Sequence, residues 1–134
     1  MGYTPDLASS ARRHLLAAQE LVNGKSRVDV AGYLFGIAAE CAIKAMMIES
    51  GMRPKPETSR REDPFYAHFP QLRTMLRDSL SGRKASQIAR FVFDDKFMSC
   101  WDTDMRYSHG RDVKDAWVVA WGQQARDAVS TIGT

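Results

Sequence analysis

The stretch AGYLFGIAAECAIKAMMI, residues 31–48, carries only two charged side chains, Glu40 and Lys44. Tyr33, Leu34, Ile37, Ala38, Cys41, Ile43, Ala45, Met46 and Met47, with Val30 just ahead of them, recur at the steps of three and four that mark a helix. Their arc is too wide for a helix with one solvated face, so the segment is expected to lie at the centre of the fold and to close at Gly51. That position makes Glu40 a problem of electrostatics, because burying an unpaired carboxylate costs on the order of several kcal/mol. Lys44 follows four residues later in the favourable order, but a lysine on a long stem tends to lift its charge toward water. A guanidinium with two parallel donors is a better partner, and Arg106, between Trp101 and Tyr107, is the expected one across the contact of the second and fourth helices.

Working outward, Leu7, Ala11, Leu15, Ala18 and Leu21 or Val22 define a first helix, with Thr4 as N-cap, Pro5 at its first position and Asn23-Gly24 as its stop. Beyond Gly51 the pattern changes. The run MRPKPETSRREDP has three prolines and no period, which predicts an exposed loop over 52–69. A third helix is expected over 70–80, with Leu72, Met75, Leu76 and Leu80 inward, Arg73 and Arg77 sharing an outer face, and Ser81-Gly82 as its end. A fourth begins near Lys84 and carries Ile88, Phe91, Val92 and Phe97. A fifth begins near Asp112 and turns Val113, Trp117, Ala120, Trp121, Ala128 and Val129 inward. No alternating strand pattern and no internal repeat occurs. The expected architecture is all-α: an antiparallel up-and-down bundle of four to five helices forming one domain over 1–134.

Length and composition agree with this. A chain of 134 residues with 44% apolar residues can bury its own core. Cys41 and Cys100 lie among apolar neighbours without the spacing of a zinc or redox pair, which predicts reduced core thiols and a cytoplasmic protein. The N-terminal MGYTPDLASS lacks the basic and apolar blocks of a signal peptide, and no membrane association is expected. The net charge of +3 is uneven: residues 53–90 hold nine Arg or Lys against four Asp or Glu, a surplus of +5, leaving −2 elsewhere. Such a surplus can hold a polyanion, although a solvated face is its ordinary meaning.

Candidate chemistry concentrates in WDTDMRYSHG, residues 101–110. If this segment is helical, Arg106 and His109 share a face and could contact one phosphate, with Arg111 beside them. Trp101 and Tyr107 could stack a base while Arg106 holds phosphate; as a structural seam, the same two aromatics would bury against the second helix, with Asp112 capping the fifth. His14 sits on an apolar face and reads as a core histidine. Asp94, Asp95, Asp102 and Asp104 have no spacing that fixes a magnesium site, and no metal or cofactor is expected. The Met46-Met47 pair and Trp117 with Trp121 are spaced as core or dimer-interface residues. Glycine-rich phosphate loops, HExxH and nucleophile elbows are lacking from the sequence.

Taken together, LASSARRHLLAAQELV, AGYLFGIAAECAIKAMM, HFPQLRTML and the Trp101, Arg106, Tyr107 landmark resemble the small prokaryotic HEPN domains, over nearly the whole chain. The resemblance implies a four- or five-helix bundle, commonly a homodimer. Members of that family include metal-independent endoribonucleases of toxin-antitoxin and phage-defence systems, and non-catalytic partners of minimal nucleotidyltransferases. Its ribonucleases carry Arg, four to six residues and then His near the last helix, where histidine activates a ribose hydroxyl and arginine stabilises the phosphate. This chain departs from that pattern, with only Tyr107 and Ser108 between Arg106 and His109. Arg61 and His68 match the spacing, but they lie in the proline-bearing loop, where His68 corresponds to a histidine that caps or packs before the third helix.

The function expected from these readings is a nucleotide- or partner-binding accessory module of a toxin-antitoxin or defence system, facing a nucleotidyltransferase, an antitoxin, a nucleotide or RNA. Its ligand-binding residues would be Glu40, Lys44, Trp101, Arg106, Tyr107 and Arg111. The alternative is a metal-independent endoribonuclease with Arg106 and His109 catalytic.

Overall fold

The central segment folds as one 22-residue helix, Val28–Glu49, in the computed structural model, which describes residues 5–80 and 85–134. Numbered in chain order, the helices are α1 (Leu7–Asn23), α2 (Val28–Glu49), α3 (Gln71–Ser79), α4 (Ser86–Val92) and α5 (Asp115–Thr131). Short 3-10 turns occupy Glu57–Glu62, Pro64–Tyr66, Thr103–Tyr107 and Gly110–Asp112. No strand occurs among the described residues, and the fold is an all-helical bundle. By length and composition alone α2 could cross a membrane, but its apolar surface is mostly buried within the bundle, against α1 and α5.

Glycine makes the closest of these contacts possible. A Cβ on Gly36 would overlap the Trp101 indole, and one on Gly32 would press on Trp121 and Val118 at 3.0 Å. Trp101 uses the space to donate its Nε1–H to the Gly32 carbonyl at 3.1 Å, so the buried indole keeps a hydrogen-bond partner. Its ring stacks on Tyr33 at 5.6 Å and meets Phe69 edge-on at 6.2 Å. Trp121 of α5 donates to the Ser99 carbonyl at 2.9 Å, and Gln124 accepts from Met98 N–H and donates to the Lys96 carbonyl. These bonds satisfy the backbone of an irregular segment in which Met98 and Cys100 both have positive φ.

The helix directions correct the up-and-down expectation. α1 and α2 are antiparallel, joined by a short turn at one end and bridged by Ser10 and Cys41 toward the other. α5 runs parallel to α2: Gly32 faces Val118, Phe35 faces Gly122, and Gly133 N–H reaches Glu49 at the far ends. Short connections force antiparallel neighbours, but the chain between α2 and α5 is long enough to return to its starting end.

Several boundaries also move. Asp6, not Thr4, caps α1 by accepting from Ser9 N–H, with Pro5 ahead of it; Thr4 and the Ser81-Gly82 stop lie outside the described residues. α4 ends at Val92 rather than continuing through Phe97, and α5 begins at Asp115, with Asp112 in the preceding 3-10 turn instead of at the cap. Val30 and Ala120 are exposed. The 52–69 loop is not wholly exposed, because Asp63, 1% exposed, accepts from Lys55 N–H at 2.6 Å and Phe65 N–H at 3.0 Å and pins the loop from within. Arg77 does not share a free outer face with Arg73: it donates to the Val92 carbonyl and to Asp95, tying α3 to the end of α4. Burial and the neighbouring Arg77 charge lower the Arg73 guanidinium from its ordinary range.

Candidate functional site

The expected site residues fall into two separate places. Glu40 and Lys44 lie in the buried middle of α2, whereas Arg106, His109 and Arg111 cluster at its N-terminal end, with Tyr107 against Arg106. Glu40 lies eleven positions after Asp29, roughly 16 Å along a helix axis.

In the first place, Glu40 is 4% exposed and its carboxylate is fully occupied. Lys44 Nζ donates to Oε2 at 3.4 Å, and His68 Nδ1 approaches Oε1 and Oε2 at 3.0 and 3.1 Å. The expected Glu40–Arg106 pair does not form. Arg106 instead donates Nε–H to the Thr103 carbonyl at 3.0 Å and lays its guanidinium 5.2 Å from the Tyr107 ring and 6.0 Å from Tyr33. The physical reason lies in the backbone: Trp101 enters the core and Met105 packs against it, while the Thr103–Tyr107 turn carries Arg106 and Tyr107 outward. Tyr107 is 80% exposed, so the expectation that it buries against α2 is also corrected. Trp101 is buried and its indole N–H is spent on Gly32, which removes it as a base-stacking surface.

The second place is an open surface. Two adjoining clefts, of about 850 and 300 Å³, share Arg27, Asp29, Ser108, Gly110 and Val113. The larger adds His109, Arg111 and Lys114, and the smaller adds Tyr33 and Arg106. Four permanent cations therefore face the pair of clefts, against Asp29, which Arg27 engages directly, and Asp115 at the start of α5. Gly110 lets the chain pass close to the Asp29 carboxylate and the Arg27 guanidinium, which a Cβ there would displace. The α2 N-terminus adds the positive end of a long helix dipole to the same region.

Arg106 and His109 do not share one helix face; Arg106 sits in one 3-10 turn and His109 caps the next. His109 Nδ1 accepts from Arg111 N–H at 3.1 Å, which leaves the ring proton of the neutral imidazole on Nε2. The free nitrogen of His109 is thus a donor, suited to an anion and unsuited to abstracting a proton. His14 is half-buried and bonds the Ser10 carbonyl at 2.7 Å, in keeping with a satisfied structural histidine. Three of the four aspartates of 94–104 are spent separately: Asp94 on Lys96 N–H, Asp95 on Arg77, Asp102 on Asp104 N–H.

Arg27, Lys114 and Tyr33 also line the clefts, which the sequence pattern does not indicate. Arg27 precedes α2 with a φ of 47° and Lys114 precedes α5, so both are brought together only by the parallel packing of those helices. Nothing in their local sequence signals it. No family model, curated protein or solved structure matches the chain.

Proposed function

We propose that this chain is a HEPN-like helical module that binds nucleotide or RNA phosphate at the paired clefts, as a homodimeric accessory of a prokaryotic toxin-antitoxin or defence system. The observation that carries the reading is the convergence of Arg27, Arg106, Arg111 and Lys114 on adjoining clefts, with the exposed Tyr107 ring against the Arg106 guanidinium. Cations at that density attract phosphate through charge, and an exposed aromatic next to a guanidinium supplies a face on which a base can stack. The partner expected in the cell is a nucleotidyltransferase or an antitoxin, in line with the sequence resemblance.

Fluorescence anisotropy with a labelled single-stranded RNA and with labelled ATP tests the binding. Expected is saturable binding that weakens with added salt, with affinity lowered on the order of tenfold or more in an Arg106→Ala, Arg111→Ala double variant. Binding that is unchanged in that variant would remove these clefts from consideration.

A metal-independent endoribonuclease is the second reading, favoured by Arg106 and His109 lining adjoining clefts. In it the outward Nε2–H of His109 would serve as proton donor to a leaving oxygen, and a different group would have to activate the ribose hydroxyl. RNA cleavage in EDTA that is lost in His109→Ala supports this reading; intact RNA over a broad substrate set leaves binding alone.

A further inference from the structure

Away from the clefts, His68 and Glu40 form a pair that phosphate binding there does not use. The Glu40 carboxylate is buried, compensated by Lys44, and presents both oxygens to His68 Nδ1 at 3.0 and 3.1 Å. An ionised carboxylate can only accept, so Nδ1 is the nitrogen that carries hydrogen. The neutral ring then exposes an unprotonated Nε2, and the His68 side chain is 50% exposed. The backbone of His68 is held as well, since its carbonyl accepts from Leu72 N–H at 2.8 Å at the start of α3. A histidine whose Nδ1–H is held by a buried carboxylate and whose Nε2 faces solvent is oriented as a nucleophile. His109 is wired oppositely, with Nδ1 accepting and Nε2 donating.

We propose that His68 Nε2 is a phosphoryl-acceptor site, taking a phosphoryl group from an acyl-phosphate donor. The Nε2 lone pair attacks phosphorus, the bond from phosphorus to the acyl oxygen breaks, and the carboxylate leaves with that electron pair. The ring retains its Nδ1 proton and gains one positive charge, which Glu40 stabilises through the hydrogen bond already in place. No oxidant or reductant enters. Two features favour phosphoryl over acyl transfer. An acyl-imidazole in so open a place is rapidly hydrolysed, whereas a phosphoryl-imidazole survives better in neutral and alkaline water. Moreover, His68 lies within the 53–90 segment that carries the chain's +5 surplus, a setting that draws an anionic donor.

The test incubates the folded wild-type protein with acetyl phosphate and follows intact mass, then maps the adduct by fragmentation and assigns its nitrogen by phosphorus NMR. Expected is one acid-labile, alkali-stable phosphoryl group on His68 Nε2, absent from His14 and His109 and lost in His68→Ala. Glu40 is a positioning residue, so Glu40→Gln is expected to slow labelling on the order of tenfold. Nitrogen-15 NMR of the same variant should show loss of the Nδ1–H tautomer preference at His68, a readout that loss of packing alone would not move. No adduct on the wild-type protein, equal labelling of the three histidines, or a wild-type His68 found as the Nε2–H tautomer each overturns the proposal, whether or not Glu40→Gln folds.

Discussion

At the scale of single residues, the two cysteines are set apart by their surroundings. Burial pushes the Cys41 thiol above its ordinary value of 9.0, assisted by the Glu40 charge and opposed by its contact with Ser10. Cys100 is exposed, contrary to the expectation of two core thiols. Iodoacetamide should therefore label Cys100 rapidly in the folded protein and the half-buried Cys41, whose thiol is held protonated, more slowly; equal rates would contradict the difference in their surroundings. The same shift sets a sign for stability. Above pH 9.0 the unfolded chain loses the Cys41 proton while the folded chain keeps it, so stability present below that pH declines as pH rises through the raised folded value. Urea titrations on either side of that range check it. For Glu40, removing the acid strands Lys44, which is 7% exposed, and Glu40→Ala should destabilise by about 3 kcal/mol, with a double Glu40→Leu, Lys44→Leu change costing less. A double change costing as much as the sum would show the pair to be uncoupled. That Glu40 needs a partner is legible from its place in an apolar run. That the partner is His68 is not, since it arrives from a loop 28 positions away whose path no helical period reports.

At the scale of elements, α2 depends on its two glycines in a way that helix propensity argues against. An alanine at position 36 would favour the isolated helix by about 1 kcal/mol, yet its methyl would occupy the Trp101 indole. Displacing that ring breaks its bond to Gly32 and its stack on Tyr33, so Gly36→Ala is expected to destabilise by about 2 kcal/mol net and to shift tryptophan fluorescence toward solvent. A variant as stable as the parent would mean that Trp101 has room to move. The existence of each helix is legible from period, because burial repeats along α1, α2, α3 and α5 as the spacing of their apolar residues requires. Their ends follow other rules. α4 stops early because the chain after Phe93 is held by side-chain bonds, Asp94 to Lys96 N–H and Gln124 to Met98 N–H and the Lys96 carbonyl, which make a stable alternative to further turns. α5 starts late because His109 heads a separate 3-10 turn that includes Asp112.

At the scale of the whole molecule, the parallel course of α2 and α5 explains both what holds the bundle together and why the cleft could not be assembled from the sequence. Arg27 and Lys114 are far apart in the chain but precede the two helices at the same end. Local periodicity assigns faces to helices; it carries no information about the direction in which a helix returns after a long irregular connection. The same topology separates connection from cohesion. Between α2 and α3 the chain exposes Arg60 and Arg61 on the Glu57–Glu62 turn, while Asp63 ties the two sides of that turn together through Lys55 N–H and Phe65 N–H, and His68 joins the residues that follow to Glu40 of α2. Trypsin should therefore cut first after Arg60 or Arg61, yielding one piece with α1 and α2 and another with α3 to α5. Separating these pieces would expose Gly32 and Phe35 of α2 together with Trp101 and Trp121, the largest aromatic surfaces in the core. The nicked protein is expected to elute as one species by gel filtration, with its helicity retained and its melting temperature lowered by several degrees, because the cut removes connectivity and no packed surface. Fragments that part under native conditions would show that the loop, and not the contact of α2 with α5, is what keeps the two halves of the chain together.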